Sequence, residues 1–403
     1  MHPKKIDLIA EQIGSLAGKM FTHSIPVSKP RTIFFRRGMM ASLDSSGVEL
    51  LRSVVDDLMS DPGLSKRLSK SDVNKKILDI ITEMLQNDEI DKPQHYLEEF
   101  ITEVYSNQSR QVVYVPLAGI EMSVTSLTLG KVTLKKISPK MMKKMVGNLD
   151  TLRPEFESNL MGNVCALVKV DAEPERARQR ALKECYRSLD LIRYALPTFY
   201  PSCDVFIGVV GDLFFGIQPT LIVTEGGGFS LMSESKPTWR YFQLSRESVA
   251  EMRRIGVFQL SKILLKNMNE CTKFENTLIQ AVHWFAEGQT LISKENQFLN
   301  LMTCLETLLT PGNNVPISNS VAECAALILE KRFEERLNTK QLIRDLYNKR
   351  SRLSHGGSND VTQDQLDALR DIARRLLLFS VRNIKKFHNR KQLHDWIERK
   401  KLS

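Results

Sequence analysis

Residues 346–357 read LYNKRSRLSHGG, and this stretch decides how we interpret the C-terminal third of the chain. From Gln341 to Ser354 the sequence contains no glycine or proline, and its apolar residues recur near helical spacing. Gly356 and Gly357 then supply the residue type that ends helices in the left-handed conformation. The pattern predicts a helix from Gln341 to about His355.

Two side chains at the end of this predicted helix are candidates for a catalytic role. His355 falls in the last turn, where the backbone carbonyl groups favour an imidazolium. Arg350 keeps its positive charge at any physiological pH. An arginine beside a histidine that exchanges protons suits phosphodiester chemistry in RNA. A solvated helix end with a glycine cap is the alternative interpretation of the same residues.

The flanking helices give the motif its context. Phe298–Leu309 is an apolar helix pattern that contains one glutamate, Glu306, and a long helix is predicted from Thr362 to Phe387. The sequence LETLL around Glu306, the pattern LY-x-x-RS-x-x-x-HG at 346–356 and the closing helix together resemble the HEPN superfamily, in particular its Apea-like branch. The resemblance covers about the last third of the chain.

The resemblance implies an activity as well as a helical bundle. HEPN ribonucleases cleave RNA without a metal or cofactor, by attack of the ribose 2′-OH that leaves a 2′,3′-cyclic phosphate. Arg350 and His355 would be the catalytic pair, and the setting would be a bacterial toxin or antiviral defence system. Because the chain carries one such motif, the resemblance also implies a homodimer formed through the bundle.

Other residues have supporting roles in this interpretation. Ser351 follows the arginine, Glu306 would hold Arg350 or His355, and Tyr347 would stack on a base. A structural salt bridge for Glu306 and a core position for Tyr347 remain open. The predicted RNA contacts are basic residues of the motif and of the chain end: Lys349, Arg352, Lys385, Lys386, Arg390 and Lys391. Gly357 stands where HEPN toxins silenced by nucleotidyltransferase antitoxins carry tyrosine, which disfavours that form of control.

Composition limits the class of protein. The chain has 403 residues, 42% of them hydrophobic and 26% charged, which is typical of a soluble protein with two or three domains. It contains no signal-peptide core and no apolar run long enough to cross a membrane. Six cysteines occur without a Cys-x-x-Cys pair, so we expect a reducing cytoplasm and no structural zinc.

Charge is concentrated near the end of the chain. The formal net charge is +10, and between Val381 and Ser403 eight basic residues stand against two acidic ones. Such a segment is often only a solvated helix end. Beside a predicted ribonuclease motif, attraction to a phosphate backbone is the better interpretation.

Hydrophobic periodicity predicts an α+β fold. Residues 1–105 are mainly helical, residues 106–265 form an α+β region of unknown, potentially sensory role, and residues 266–403 form the HEPN-like bundle of four or five helices. In the middle region we predict mainly antiparallel strands, followed by a helix that opens at Glu173-Pro174. One helix is predicted from Ser245 to about Asn267.

Three functions remain open at this point. The favoured one is the HEPN endoribonuclease, whose trigger, such as a phage component or a regulatory protein, the sequence does not identify. The alternative is a catalytically inert HEPN module that binds RNA or nucleotides or acts as a scaffold. A DNA-binding regulator is the third, although no helix-turn-helix spacing supports it.

Overall fold

A computed structural model describes residues 1–20, 32–36, 39–106, 110–146, 160–201, 205–211, 218–223, 229–234, 241–290, 293–310, 317–354 and 361–402. The predicted α+β class is confirmed. The chain divides into two compact units, Met1–Val113 with Lys169–Leu182, and Tyr114–Val168 with Lys183–Ser403. The domain boundary predicted near residue 105 lies close to Val113, where the first segment of the first unit ends. The boundary predicted near residue 265 does not separate two units, because Lys183–Ser403 belongs to one unit.

The first unit is a helical core with one hairpin. Ile9, Ile13 and Leu16 lie fully buried along one face of the first helix, as their helical spacing predicts. The hairpin is antiparallel, with Thr32 opposite Leu43. The elements are α1 (Pro3–Gly18), β1 (Thr32–Arg36), β2 (Met39–Leu43), α2 (Ser45–Met59), α3 (Pro62–Arg67), α4 (Lys70–Gln86) and α5 (Pro93–Ser106).

Side chains cap the starts of three of these helices. The Asp44 carboxylate accepts a 2.8 Å hydrogen bond from the backbone N–H of Gly47 at the start of α2. Asp61 does the same for α3, and Ser69 forms a capping box with Asp72 at the start of α4. Each cap satisfies backbone donors that have no partner within the helix, which is why the helices begin at these residues.

The second unit contains a five-stranded sheet in the order β5-β6-β7-β3-β8. β5 pairs antiparallel with β6, and β6 with β7, with Val132 opposite Val168. A separate parallel pair joins β4 to β11. The strands are β3 (Arg110–Ala118), β4 (Ile120–Met122), β5 (Leu127–Leu129), β6 (Val132–Lys136), β7 (Val164–Asp171), β8 (Gly208–Val209), β9 (Gln218–Val223), β10 (Phe229–Glu234) and β11 (Phe242–Leu244).

Most of the strands that the β-rich stretches predict occur, with shifted ends. The strand predicted from Val124 begins only at Leu127, and the one predicted at Val205–Val210 is reduced to Gly208–Val209. Phe214–Ile217 and the Gly226–Gly228 run lie outside the described residues. β9 and β10, on either side of that run, pair antiparallel with Val223 opposite Phe229, which agrees with the predicted hairpin.

Two helices accompany the strands of this part of the chain, α6 (Pro139–Val146) and α7 (Pro174–Phe199). α7 begins at Pro174, as predicted, because proline tolerates the first turn, where its missing N–H costs nothing. The predicted buried face is confirmed by five side chains with no exposed surface: Ala177, Ala181, Cys185, Leu189 and Ile192.

The predicted helix from Ser245 to Asn267 is wrong as a single element. It is two helices, α8 (Arg246–Arg254) and α9 (Val257–Leu265), separated by Gly256. Gly256 has a φ of +89°, a conformation that glycine adopts without strain. Periodicity alone missed the break because the apolar spacing continues across it.

The helical bundle follows in the same unit. Its helices are α10 (Lys273–Thr290), α11 (Lys294–Leu309), α12 (Ile317–Leu329), α13 (Phe333–Ser354), α14 (Gln363–Arg382) and α15 (Arg390–Leu402). α13 begins eight residues before the predicted start at Gln341. No helix among the described residues is long and apolar enough to cross a bilayer.

The basic chain end differs from the prediction. The last predicted helix stops at Arg382 rather than Phe387, and α15 follows as a separate helix. Leu393 and Ile397 are buried, and Trp396 packs against Phe379 with ring centroids 5.2 Å apart. The segment is therefore a packed helix of the bundle with a basic outer face.

We predict that Gly256→Ala destabilises the fold by roughly 2 to 5 kcal/mol. A Cβ at this position would lie 2.2 Å from Cγ1 of the buried Val381, in addition to the positive φ. Gly211→Ala is the matched control, because Gly211 also has a positive φ but no atom of the described residues lies within 4 Å of the added Cβ. Urea unfolding measures both; equal losses would show that the close approach to Val381 contributes nothing.

Candidate active site

The candidate site is built on an ion pair between α11 and α13. Nε of Arg350 lies 3.2 Å from Oε1 of Glu306, and Nη2 donates to Oε2 at 3.2 Å. The side chains are 36% and 19% exposed, respectively. The two predicted residues, 44 positions apart in sequence, are thus brought together. The pair holds the guanidinium in one orientation at the edge of the bundle.

Local sequence explains why both side chains lie at this edge. In α13, Ile343, Leu346 and Tyr347 face the core, and Arg350 follows them by three to seven positions on nearly the same face. In α11, Leu305 and Leu308 are fully buried on either side of Glu306. Arg350 and Glu306 therefore each lie at the border of the buried face of their helix, where the two side chains can contact one another.

Burial sets the electrostatics of the pair. Burial raises the pKa of Glu306 above its ordinary value, although the Arg350 charge and the nearby Tyr347 hydroxyl oppose the shift. Burial also raises the pKa of Tyr347, so its hydroxyl stays protonated at neutral pH. Glu306 and Arg350 thus form a half-buried pair of oppositely charging side chains, in which each partner offsets the cost of burying the other.

Two polar atoms at this position are buried without a hydrogen bond to the described residues: Oη of Tyr347 and Nε of Arg350. Nε is within ion-pair distance of Glu306, but its N–H does not point at the carboxylate. The Tyr347 hydroxyl interacts electrostatically with the Glu306 carboxylate but lies outside direct hydrogen-bond geometry. Unsatisfied buried donors are uncommon in proteins and point to a functional position.

The histidine of the predicted pair lies outside the described residues, as do Gly356 and Gly357. α13 is described to Ser354, so Arg350 stands about one turn before its last described residue. His355 is the next residue along the chain. The predicted glycine-terminated end of the helix likewise falls on residues that are not described.

The remaining predicted residues divide by exposure. Ser351 and Arg352 are exposed, and so are the four basic residues of the chain end: Lys385, Lys386, Arg390 and Lys391. Nζ of Lys386 lies 4.8 Å from the ring centroid of Trp396. Lys349 differs from the expectation of a surface contact with RNA, since only 7% of it is exposed. Its position in α13 turns it towards the core.

A second polar cluster, which the sequence did not reveal, lies between α7 and α10. Nδ1 of His283 lies 2.9 Å from Oδ2 of Asp190, and Glu287 stands one turn further along α10. Its place beside Trp284 in an apolar helix pattern predicts a packed residue, whereas the His283 side chain is 49% exposed. The spacing His-x-x-x-Glu was the available signal, but Asp190 lies 93 positions away.

No family model, characterised protein or solved structure matches the chain. The HEPN resemblance therefore rests on the motifs quoted above.

We predict a coupling free energy of about 1 kcal/mol between Glu306 and Arg350. A double-mutant cycle with Glu306→Gln and Arg350→Gln, followed by urea unfolding, measures it. The control cycle is Glu251 with Arg254, an exposed pair on one helix, which should give about 0.3 kcal/mol. A coupling near zero for Glu306 and Arg350 would mean that the pair does not hold the two helices together.

Proposed function

We propose that the chain is a metal-independent endoribonuclease of HEPN type that cleaves RNA by attack of the ribose 2′-OH. One observation carries the proposal. The Arg350 guanidinium is held by Glu306 at the bundle edge, about one turn before the last described residue of α13, and His355 follows that residue directly. An oriented cation beside a residue that exchanges protons is what phosphodiester cleavage requires.

Arg350 would stabilise the charge that develops on phosphorus. Glu306 engages the Nε and Nη2 edge, and no other described residue pairs with the Nη1 group. Within the described residues the guanidinium therefore keeps one edge for a phosphate oxygen, and its partial exposure lets a substrate reach that edge. The Tyr347 hydroxyl, buried beside Glu306, would be a further donor at this position.

The chemical step needs two proton transfers. A base takes the proton of the 2′-OH, the 2′-oxygen bonds to phosphorus, and the bond to the 5′-oxygen breaks as that oxygen receives a proton. The products are a 2′,3′-cyclic phosphate and a 5′-OH. His355 would carry out one transfer, and a second histidine is the simplest source of the other.

A homodimer through the bundle would supply that second group. Two copies related by a two-fold axis place two equivalent motifs at one interface. His355 of the partner subunit would then act opposite the first. The cleavage itself needs no ion, so we expect it to persist in EDTA.

RNA would be attracted by the basic surface of the same unit. Arg352 and the exposed basic residues around α15 offer positive charge without base-specific geometry. Contacts of that kind make binding strong at low salt and insensitive to sequence. Specificity would then come from the site itself or from single-stranded regions of the RNA.

A catalytically inert binding or scaffolding module is the second candidate. The observation that favours it is that Glu306 already compensates the Arg350 charge while Tyr347 and Lys349 are buried. On that view the motif clamps α11 to α13. The two candidates differ in whether His355 is needed for RNA cleavage.

The biological setting remains the one that the HEPN resemblance implies. We propose a cytoplasmic toxin or antiviral defence ribonuclease, since free RNA cleavage would harm the host cell. The unit formed by Met1–Val113 and Lys169–Leu182 carries none of the proposed catalytic residues. We propose that it receives the activating signal, from a phage component or a regulatory protein.

We predict that His355→Ala and Arg350→Ala each lower RNA cleavage by at least about 100-fold while the fold is retained. Each variant removes a group to which the proposed mechanism gives a role in the transition state. His388→Ala and Arg254→Ala are the matched controls, because both side chains are exposed and lie outside the proposed site. The assay is incubation with total cellular RNA; cleavage at the wild-type rate by both site variants would contradict the proposal.

We also predict that cleavage needs two intact copies of the motif. When wild-type and His355→Ala chains are mixed equally and exchange subunits, only about a quarter of dimers carry two histidines. Activity should then fall well below the half expected from dilution. A chain that sediments as a monomer at micromolar concentration and cleaves at the full rate would contradict the dimer.

A further inference from the structure

The cluster between α7 and α10 has the composition of a metal site. Its three potential ligand atoms come from Asp190, His283 and Glu287, and all lie within 4.8 Å of one another. Imidazole nitrogen and carboxylate oxygen are the usual ligands of divalent first-row transition ions. Asp190 is buried, whereas His283 and Glu287 remain open to solvent, so an ion could enter from outside.

The shortest separation in the cluster suits such an ion. Ligands at about 2.1 Å from a metal are about 3.0 Å apart when they occupy neighbouring octahedral positions. Nδ1 of His283 and Oδ2 of Asp190 are 2.9 Å apart. Glu287, four residues after His283, projects from the same face of α10, and its side chain is 34% exposed and can adjust.

Arg193 orients the carboxylates without occupying the ligand atoms. Nε and Nη2 of this buried arginine donate to the carbonyl oxygen of Ile207 at 3.1 and 3.0 Å. Nη1 contacts Oδ1 of Asp190 at 3.2 Å and Oε1 of Glu287 at 3.5 Å. Oδ2 of Asp190, the oxygen that Arg193 does not contact, is the one that lies against His283. Hydrogen-bonded ligands of this kind are typical of metal centres.

The charge balance also leaves room for a cation. With His283 neutral, as a metal ligand must be, one positive charge, on Arg193, stands against two negative charges, on Asp190 and Glu287. The hydrogen bond to Asp190 raises the pKa of His283, Glu287 adds to the shift, and burial and Arg193 oppose it.

We propose that Asp190, His283 and Glu287 form a binding site for a divalent first-row transition metal ion, with Arg193 holding the carboxylates in place. The ion ties α7 to α10, the first helix of the bundle. The site is independent of the Arg350 motif and does not depend on the proposed ribonuclease activity.

The test is metal binding by the full chain after removal of bound ions with a chelator. Zn²⁺ is titrated by calorimetry, and Co²⁺ is followed by its visible absorption, which reports nitrogen and oxygen ligands. We expect about one equivalent per chain at this site and a rise in the melting temperature with Zn²⁺. His283→Gln and Glu287→Gln should each lower the affinity at least about tenfold.

His388→Gln is the control for loss of an exposed histidine elsewhere in the same unit. His355→Ala tests whether the ion binds at the ribonuclease motif instead. Both should retain the ion. Since Glu287 is partly exposed, its glutamine variant should fold even if the His283 variant does not. Absence of stoichiometric uptake by the wild-type chain, or uptake unchanged in the site variants, would show that the cluster is an ion-pair network only.

Discussion

A partly or fully buried arginine needs a negatively charged or polar partner to compensate its charge. This constraint explains the pairing at the two polar sites described above, around Arg350 and around Arg193. Arg350 is held by Glu306, and Arg193 is held by Asp190 and by a backbone carbonyl. A guanidinium offers five donors in a rigid plane, so each partner fixes its orientation as well as its charge. Each pairing joins residues distant in sequence, and the helices can therefore pack only in an arrangement that brings these partners together.

The same constraint leads from structure to chemistry. A guanidinium paired along one edge keeps its other edge for a phosphate, which is how Arg350 would act on RNA. A carboxylate engaged through one oxygen keeps the other for an ion, which is how Asp190 would act on a metal. The partner that compensates each charge also stops the guanidinium or carboxylate from rotating freely. Its remaining edge or oxygen is therefore already oriented for a ligand.

The sequence predicted the fold class and a contact of Glu306 with Arg350 or His355. It did not predict the features that depend on packing between residues distant in sequence. The buried face of α7 followed from spacing, since alanines and leucines at helical intervals need a core. The break at Gly256 did not, because it depends on the approach of Val381. The Asp190 and His283 pair was missed for the same reason: its two members lie on separate helices, and neither stands out alone.

The central claim is that RNA supplies its own nucleophile at the Arg350 and His355 site. The most direct measurement uses a short RNA with a mapped cleavage site, compared with the same RNA carrying one 2′-deoxyribose on the 5′ side of that bond. The account predicts that cleavage at this bond disappears, and that the unmodified RNA gives a 2′,3′-cyclic phosphate and a 5′-OH. Continued cleavage at the deoxy position would contradict it, since water would then be the nucleophile.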